Sequence, residues 1–310
     1  MIKYVSHEVI DREKWDKCID NSTNGLVYAY SWYLDLICDE WNALIENDYE
    51  SVFPLPFRKK GFIQYTYQPF FAQQLGVFST NVLNSDRIHA FIKAIPKKYA
   101  LIDINLNSQN FIDDRDIDCK INKNYILDLH HDYKLLHEAF SSNTRRNLHE
   151  AKGNHLTVVE GIPSQNIIDL FRKDKGKEIR SFKENDYKTL HQLMNHILDK
   201  GKAISLGVND ANNQLLAGAF FVKHNNRYIF LFSGNSDEGR DAKAMFFLID
   251  YFIRKYSNED LILDFEGSNN HGLARFYSSF GAKKIQYKTY FANRLFFPLN
   301  LLFMVYRKFK

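Results

Sequence analysis

The chain has 310 residues, 45% hydrophobic and 25% charged, with 26 Phe and 18 Tyr; that much apolar surface excludes a disordered chain, and at roughly 150 residues per domain the length favours two domains. Lys and Arg number 41 against 37 Asp and Glu, a net charge of +4, too balanced to define a DNA-binding surface. Cys18, Cys38 and Cys119 are too far apart for CxxC or Cys/His metal spacing, so a reducing, cytoplasmic compartment is expected, with no disulfide framework and no structural metal.

The opening MIKYVSHEVIDREKW lacks the apolar run of an export signal. Ile2–Ser6 reads as a strand. Trp15, Cys18 and Ile19 recur at helical spacing over Arg12–Ile19, and Tyr33, Leu34 and Ile37 do so over Tyr30–Cys38. A meander follows over Trp41–Glu46, Ser51–Arg58 and Ile63–Tyr67, with Asn47-Asp48 and Lys59-Lys60-Gly61 as turns. Pro54, Pro56 and Pro69 imply that some of these strands are edges or end early. A helix over Ser85–Ile95 and a strand over Leu101–Leu106 come next. Asp113, Asp114, Asp116 and Asp118 then fall in an irregular stretch without the glycine and terminal glutamate of a calcium loop, so no metal is expected there.

After a strand over Tyr125–Leu129, a domain boundary is expected near Asp132, giving 1–132 and 133–310. The second half repeats the order of the first: helix Tyr133–Gly153, strand Leu156–Glu160, helices Gln165–Gly176 and Lys188–Lys200, then three antiparallel strands over Ala203–Val208, Leu215–Lys223 and Arg227–Ser233. A helix over Ala242–Tyr256 carries the stripe Met245, Leu248, Ile249 and Phe252, and Leu261–Phe265 is a short apolar strand. A strand–helix–strand crossover of this size makes the two strands parallel neighbours. Ligands bind beyond the carboxyl ends of such strands, here Ser233–Asn235 and Glu266–Asn270. The tail Leu295–Tyr306, broken by Pro298 and Asn300, is too short to span a bilayer. With Arg307, Lys308 and Lys310 behind it, residues 295–310 either pack on their own domain or touch a membrane surface.

The order of elements, closed by Asn270, Ala274, Phe276-Tyr277 and Phe280-Gly281, resembles the GNAT superfamily of N-acyltransferases, and DFEGSNNHGLARFYSSFGA over 264–282 is similar to its FemAB-like branch. Phe140 to Asn147, with Ser141, Ser142, Arg145 and Arg146, resembles the Ser-x-x-x-Arg entry of that branch's second domain. Ser31-Trp32-Tyr33-Leu34, Pro54 to Lys59 and Gln68-Pro69-Phe70 resemble pieces of its first domain. The resemblance implies an α/β protein of two GNAT-like domains, each a mixed, mostly antiparallel sheet flanked by helices, with the site in the second. It implies transfer of an acyl group to an amine on a small metabolite, sugar or peptide, from acyl-CoA or, in the peptidoglycan bridge-building members, from aminoacyl-tRNA. Two departures concern the donor. The glycine-rich loop that holds the CoA diphosphate in ordinary GNAT enzymes is replaced by Ser236-Asp237-Glu238-Gly239-Arg240-Asp241-Ala242. The Phe-Lys pair of the tRNA-using relatives is replaced by Phe276-Tyr277. A third alternative is therefore a binding protein without turnover.

Such a transfer needs a base for the ammonium and a proton for the leaving group. Glu266 is the candidate base, or else a turn-stabilising carboxylate; Tyr277 is the candidate acid, or else a core residue, since it shares helical spacing with Phe276 and Phe280. Arg145 and Arg146 suit an anionic substrate, or form a solvated face. Asn235, Arg240, Ser268 and Asn269 are candidate substrate contacts, the last two equally placed to be caps. His130, His131, His137 and His149 pair with no serine or cysteine elbow, so a hydrolase triad is not expected.

Overall fold

The apolar periodicities settle into elements close to those predicted. The computed structural model describes residues 1–113, 119–177, 179 and 182–308. The first half holds β1 (Ile2–Val5), α1 (Arg12–Asn21), α2 (Ser31–Ile37), β2 (Glu40–Glu46), β3 (Ser51–Lys60), β4 (Ile63–Thr66), β5 (Phe78–Ser79), α3 (Ser85–Ala94) and β6 (Tyr99–Asn105). There follow β7 (Cys119–Asp128), α4 (Tyr133–Glu138), α5 (Ser142–Gly153), β8 (Thr157–Glu160), α6 (Ser164–Lys173) and α7 (Glu184–Asp199). The rest is β9 (Ala203–Asn209), β10 (Leu215–His224), β11 (Arg227–Asn235), α8 (Asp237–Asp241), α9 (Ala244–Tyr256), β12 (Ile262–Asp264), α10 (His271–Ser278), β13 (Lys283–Asn293) and α11 (Leu299–Lys308). Asp114, Asp116 and Asp118 of the carboxylate stretch lie outside the described residues.

Contacts divide the chain into one unit of Met1–Asn122 with Gln286–Lys310 and another of Lys123–Ile285. The sequence puts the boundary near Asp132, yet Asp132 is the cap of α4, its carboxylate accepting from Leu135 N at 2.8 Å. The chain passes between units inside β7 and returns inside β13, because a strand is pinned by neighbours on both sides while its sequence stays continuous.

In the first unit the strands run β1-β2-β3-β4-β6-β13. β3 is an inner strand despite its prolines. It pairs with β2 along Ser51–Phe57, but on its other side only with β5 at Ser51–Val52 and with β4 from Phe57. Pro54 falls in the interval where that side is open, and Pro56 meets it only as an acceptor, its carbonyl taking Tyr67 N at 3.2 Å, so no ladder donor is missed. The edge that the prolines predict is a local one.

In the second unit the order is β7-β12-β11-β10-β9-β8. The expected stripe of α9 is buried against this sheet, Phe252 stacking on Phe221 with ring centroids 4.2 Å apart. One predicted helix is interrupted: residues 133–153 break before α5, where the Ser141 hydroxyl accepts from Thr144 N at 3.1 Å and its backbone turns extended; a serine cap competes with helix continuation. The helix predicted over 242–256 is continuous from Ala244, set off by the left-handed φ of 60° at Lys243 from α8, which forms in the expected loop. Among the described residues no helix is long and apolar enough to cross a membrane.

Candidate active site

The parallel strands of the second unit pair over a short distance only: Arg227 with Ile262, Tyr228 with Leu263 and Ile229 with Asp264. Beyond Ile229, β11 continues along β10 as far as Asn235, through a bulge in which Phe220 faces Phe232 and Phe221 faces Phe230, leaving Leu231 without a partner. Bulges sharpen local twist and bend the strand that carries them. The chain after Asp264 turns the other way. Phe265 N donates to Tyr125 O of β7 at 2.9 Å, and Glu266 and Gly267 adopt left-handed φ values of 56° and 51°. Two parallel strands thus part at their carboxyl ends, where the sequence expects a site.

The turn at Glu266 is braced from below. Asp264, 3% exposed, receives Arg227 Nη1 on one oxygen at 2.5 Å and, on the other, Asn124 Nδ2 and Glu266 N, each at 2.9 Å. A buried ion pair is tolerated when hydrogen bonds satisfy both oxygens. Asn124 is held in turn, its Oδ1 accepting from Tyr125 N at 2.8 Å. Gly267 is obligatory here: a Cβ would lie 2.2 Å from Lys123 O and 2.5 Å from the Asn124 Cα, besides meeting the steric barrier to positive φ. A left-handed φ at a glutamate is strained and persists where surroundings over-determine it. Sequence reasoning missed this brace; the signal for it was a polar Asn124 at the head of an apolar strand and an Asp264 inside another.

Tyr277, 7% exposed, projects from α10 onto Phe265, with ring centroids 4.9 Å apart and stacked, and lies 6.3 Å from Phe230 and from Tyr125. Burial, and then the nearby Glu266 carboxylate, push its hydroxyl well above the ordinary tyrosine value, so it stays protonated at neutral pH. Its hydroxyl bonds to no described residue. The two candidate catalytic side chains are neighbours, and the core reading of Tyr277 holds at the same time: the ring packs, while the hydroxyl is left for something else.

The remaining candidates have varied settings. Asn269 Oδ1 accepts from Lys123 N at 3.2 Å, and Ser268 Oγ from Asn270 N at 2.9 Å. Asn270 caps α10, accepting from Gly272 N at 2.8 Å and Leu273 N at 3.1 Å. Arg240 is ion-paired to Asp174 and Asp237, which neutralises the charge meant for a substrate. The loop 236–242 is a helical turn, with Gly239 N on Ser236 Oγ, Arg240 N on Ser236 O and Ala242 N on Glu238 O, while Ser236 N reaches Leu216 O of β10. Asn235 Oδ1 is buried without a partner among the described residues.

Arg145 and Arg146 are exposed at the start of α5; Arg145 Nη1 donates to Glu138 O at 3.1 Å and Arg146 Nη2 to Asn143 Oδ1 at 2.7 Å. Beside them opens a cavity of about 460 Å³ between the head of α5, the first turn of α9 and α10, lined by Ser141, Ser142, Asn143, Phe246, Arg275 and Phe276 among others. The sequence reading passed over Arg275, which is exposed, makes no ion pair with a described residue and stands two positions before Tyr277. Among the described residues no group of His, Cys, Asp or Glu is arranged to hold a metal.

A parted parallel pair, a crossover helix and a short helix after the second strand define an N-acyltransferase fold, and residues 141–276 match the model of the acetyltransferase (GNAT) domain. Residues 141–276 of the second unit thus carry a likeness to the GNAT acetyltransferase domain, and the resemblance to the FemAB-like branch holds for the fold of the whole chain. The chain is similar to the crystal structure of FemX at 15% identity, covering 97% of this chain and 99% of that one with a TM-score of 0.65. It is similar to the L-PGS structure from Bacillus licheniformis at 12% identity, covering 96% of each chain with a TM-score of 0.55. It is also similar to a tandem GNAT protein from the clavulanic acid biosynthesis pathway, at 12% identity over 94% of this chain and 98% of that one with a TM-score of 0.53. No curated protein sequence matches the chain.

Proposed function

We propose that the second unit moves an acyl group from an activated donor to an amine, in the gap between β11 and β12. The observation that carries this reading is the parting of the pair after Ile229 and Asp264, with Glu266 and Tyr277 at the parted end. An ammonium acceptor must lose a proton before it attacks. Glu266 accepts that proton directly or through a water, the amine nitrogen bonds to the donor carbonyl, and the bond to the leaving sulfur or ribose oxygen breaks. Tyr277 supplies the proton that the leaving group takes and is restored by the second proton that the amine nitrogen releases on becoming an amide, so that one proton in all passes to Glu266 and on to solvent.

Acyl-CoA is the donor that a GNAT domain favours. One observation favours a different one: the turn where CoA diphosphate would rest carries three carboxylates, Asp237, Glu238 and Asp241, and a single glycine. An aminoacyl-tRNA donor with a peptidoglycan precursor or lipid as acceptor is the second reading, supported by the likeness to FemX and L-PGS. In either case the cavity beside Arg275, Arg145 and Arg146 supplies cations for the donor's phosphates. A cytoplasmic setting agrees with the three free cysteines.

Thermal unfolding with acetyl-CoA, longer acyl-CoAs, aminoacyl-tRNA and UDP-linked muropeptides tests the reading. A true donor at a hundredfold excess over Kd stabilises the fold by about 2.7 kcal/mol, and the Glu266→Gln variant keeps that shift while losing turnover. If no donor shifts the melting temperature and no product forms, the binding-protein alternative replaces transfer.

A further inference from the structure

Within the first unit, two segments distant in sequence build one exposed apolar patch. Phe62, at the β3–β4 turn, stacks on Phe296 with centroids 6.5 Å apart, and both rings face solvent, Phe62 at 79% and Phe296 at 60% exposure. Phe297, Leu301 and Leu302 extend the patch, each more than half exposed. α11 shows why this is not ordinary packing. Its inner side is already satisfied, Phe303 stacking on Phe291 of β13 at 6.3 Å with Leu299 half-buried, while Leu301 and Leu302 point outward. A helix apolar on both sides is normally buried on both, and 295–302 contains no charged residue at all.

The border of the patch is basic. Lys60 is exposed in the same turn as Phe62, and Arg294 Nη1 donates to Ile95 O at 3.1 Å, bringing the segment against the turn that carries exposed Lys97 and Lys98. Lys60 and Lys97 make no ion pair with a described residue, while Lys98 Nζ sits over the Tyr4 ring at 4.5 Å; the carboxylates Asp39 and Glu40 are taken by Arg58 and Lys59. Apolar rings ringed by unpaired ammonium groups complement a surface that is hydrocarbon below and anionic above.

We propose that this patch docks the protein on an anionic phospholipid surface, Phe62, Phe296, Phe297, Leu301 and Leu302 entering the headgroup boundary while Lys60 and Lys97 meet the phosphates. It stands independently of the transfer reaction, because no residue of the second unit takes part. The test is flotation with vesicles of equal parts phosphatidylglycerol and phosphatidylcholine, against phosphatidylcholine alone. The full chain floats with the anionic vesicles and less with the neutral ones. A Phe62→Ser, Phe296→Ser, Phe297→Ser variant that keeps its melting temperature loses at least about tenfold in partitioning, and Lys60→Glu with Lys97→Glu removes the preference for anionic lipid. Equal partitioning of the triple variant and the unaltered chain overturns the proposal. So does absence of flotation together with a dimer, seen by light scattering, that the triple variant abolishes, since a second copy would then cover the patch.

Discussion

Each unit contains one parallel strand pair at the same place in its order of elements, and the two pairs are finished differently. In the first unit β4 and β6 pair at Gln64 with Tyr99 and at Tyr65 with Leu101, and the space beyond is then filled by main chain. Leu75 bridges Leu106 in parallel, Leu75 N donates to Asn105 O at 2.8 Å, and Asn105 reaches Gln68 Oε1 and Gln73 O at 2.9 and 2.8 Å. In the second unit β11 and β12 part with no strand inserted among the described residues, and the rings of Phe230, Phe265 and Tyr277 pack on one another at the parted end. Backbone held by ladder bonds is a permanent plug, whereas rings can change rotamer at the scale of side-chain energies. One architecture, duplicated, is finished by main chain in the first module and by side chains in the second.

The comparison breaks first at Glu266. Glu266→Gln keeps size and hydrogen bonding but not basicity, so kcat falls by about 100- to 10,000-fold with donor affinity unchanged, measured in single-turnover assays. Unchanged turnover would remove Glu266 from the chemistry. Next is its support. Asp264→Asn leaves the Arg227 guanidinium inside without its counter-charge, which costs about 3 to 5 kcal/mol; urea unfolding measures that loss, and a smaller loss than at an exposed pair such as Lys14–Asp48 would contradict the brace. Gly267→Ala, with its Cβ driven into Lys123 O, is expected to cost about 2 to 3 kcal/mol, while Gly61→Ala, at a φ of 61° but with nothing within 4 Å, costs about 1 kcal/mol.

These predictions rest on features unequally visible in the sequence. The stripe Met245, Leu248, Ile249 and Phe252, the meander in each half and the crossover from β11 to β12 follow from period alone, because burying one face of a helix or strand leaves that period behind. The order of elements made the carboxyl ends of the parallel pair the expected site, and Glu266 with Tyr277 could be named from the stretch after β12. What could not be read is what depends on long-range registers. The tie from Asn124 to Asp264, across a separation of 140 residues, needs β7 beside β12, and the two polar residues in apolar strands do not by themselves say that they are partners. Arg240 looked available because its partner Asp174 is far off in sequence. The plug at Gln68–Leu75 is not legible in the sequence, since a single bridge leaves no periodic trace.

Alkaline pH gives a smaller effect that separates packing from chemistry. Burial, then the hydrogen bond to Asp250, pushes the Tyr133 hydroxyl up to about 12 from the ordinary 10.0, and burial pushes Tyr228 up to about 12. Raised values favour the neutral form in the folded state. Stability from these groups is therefore complete below pH 10 and is lost as pH rises from there toward 12. The melting temperature should decline over that interval, less steeply in Tyr133→Phe; an equal slope would place the linkage elsewhere. Smallest of all, Ser141→Ala removes the cap that ends α4 and opens α5, at about 1 kcal/mol, checked by the shift in urea midpoint.

The most direct measurement is a crystal structure with an unreactive analogue of whichever donor raises the melting temperature, its scissile bond replaced by a thioether or an amide. The account predicts the carbonyl carbon between the segments Phe230–Asn235 and Phe265–Asn270, within hydrogen-bond reach of Tyr277 and with the phosphates toward Arg275. Density for the analogue at β4 and β6 of the first unit, or on a surface remote from Glu266, would contradict it.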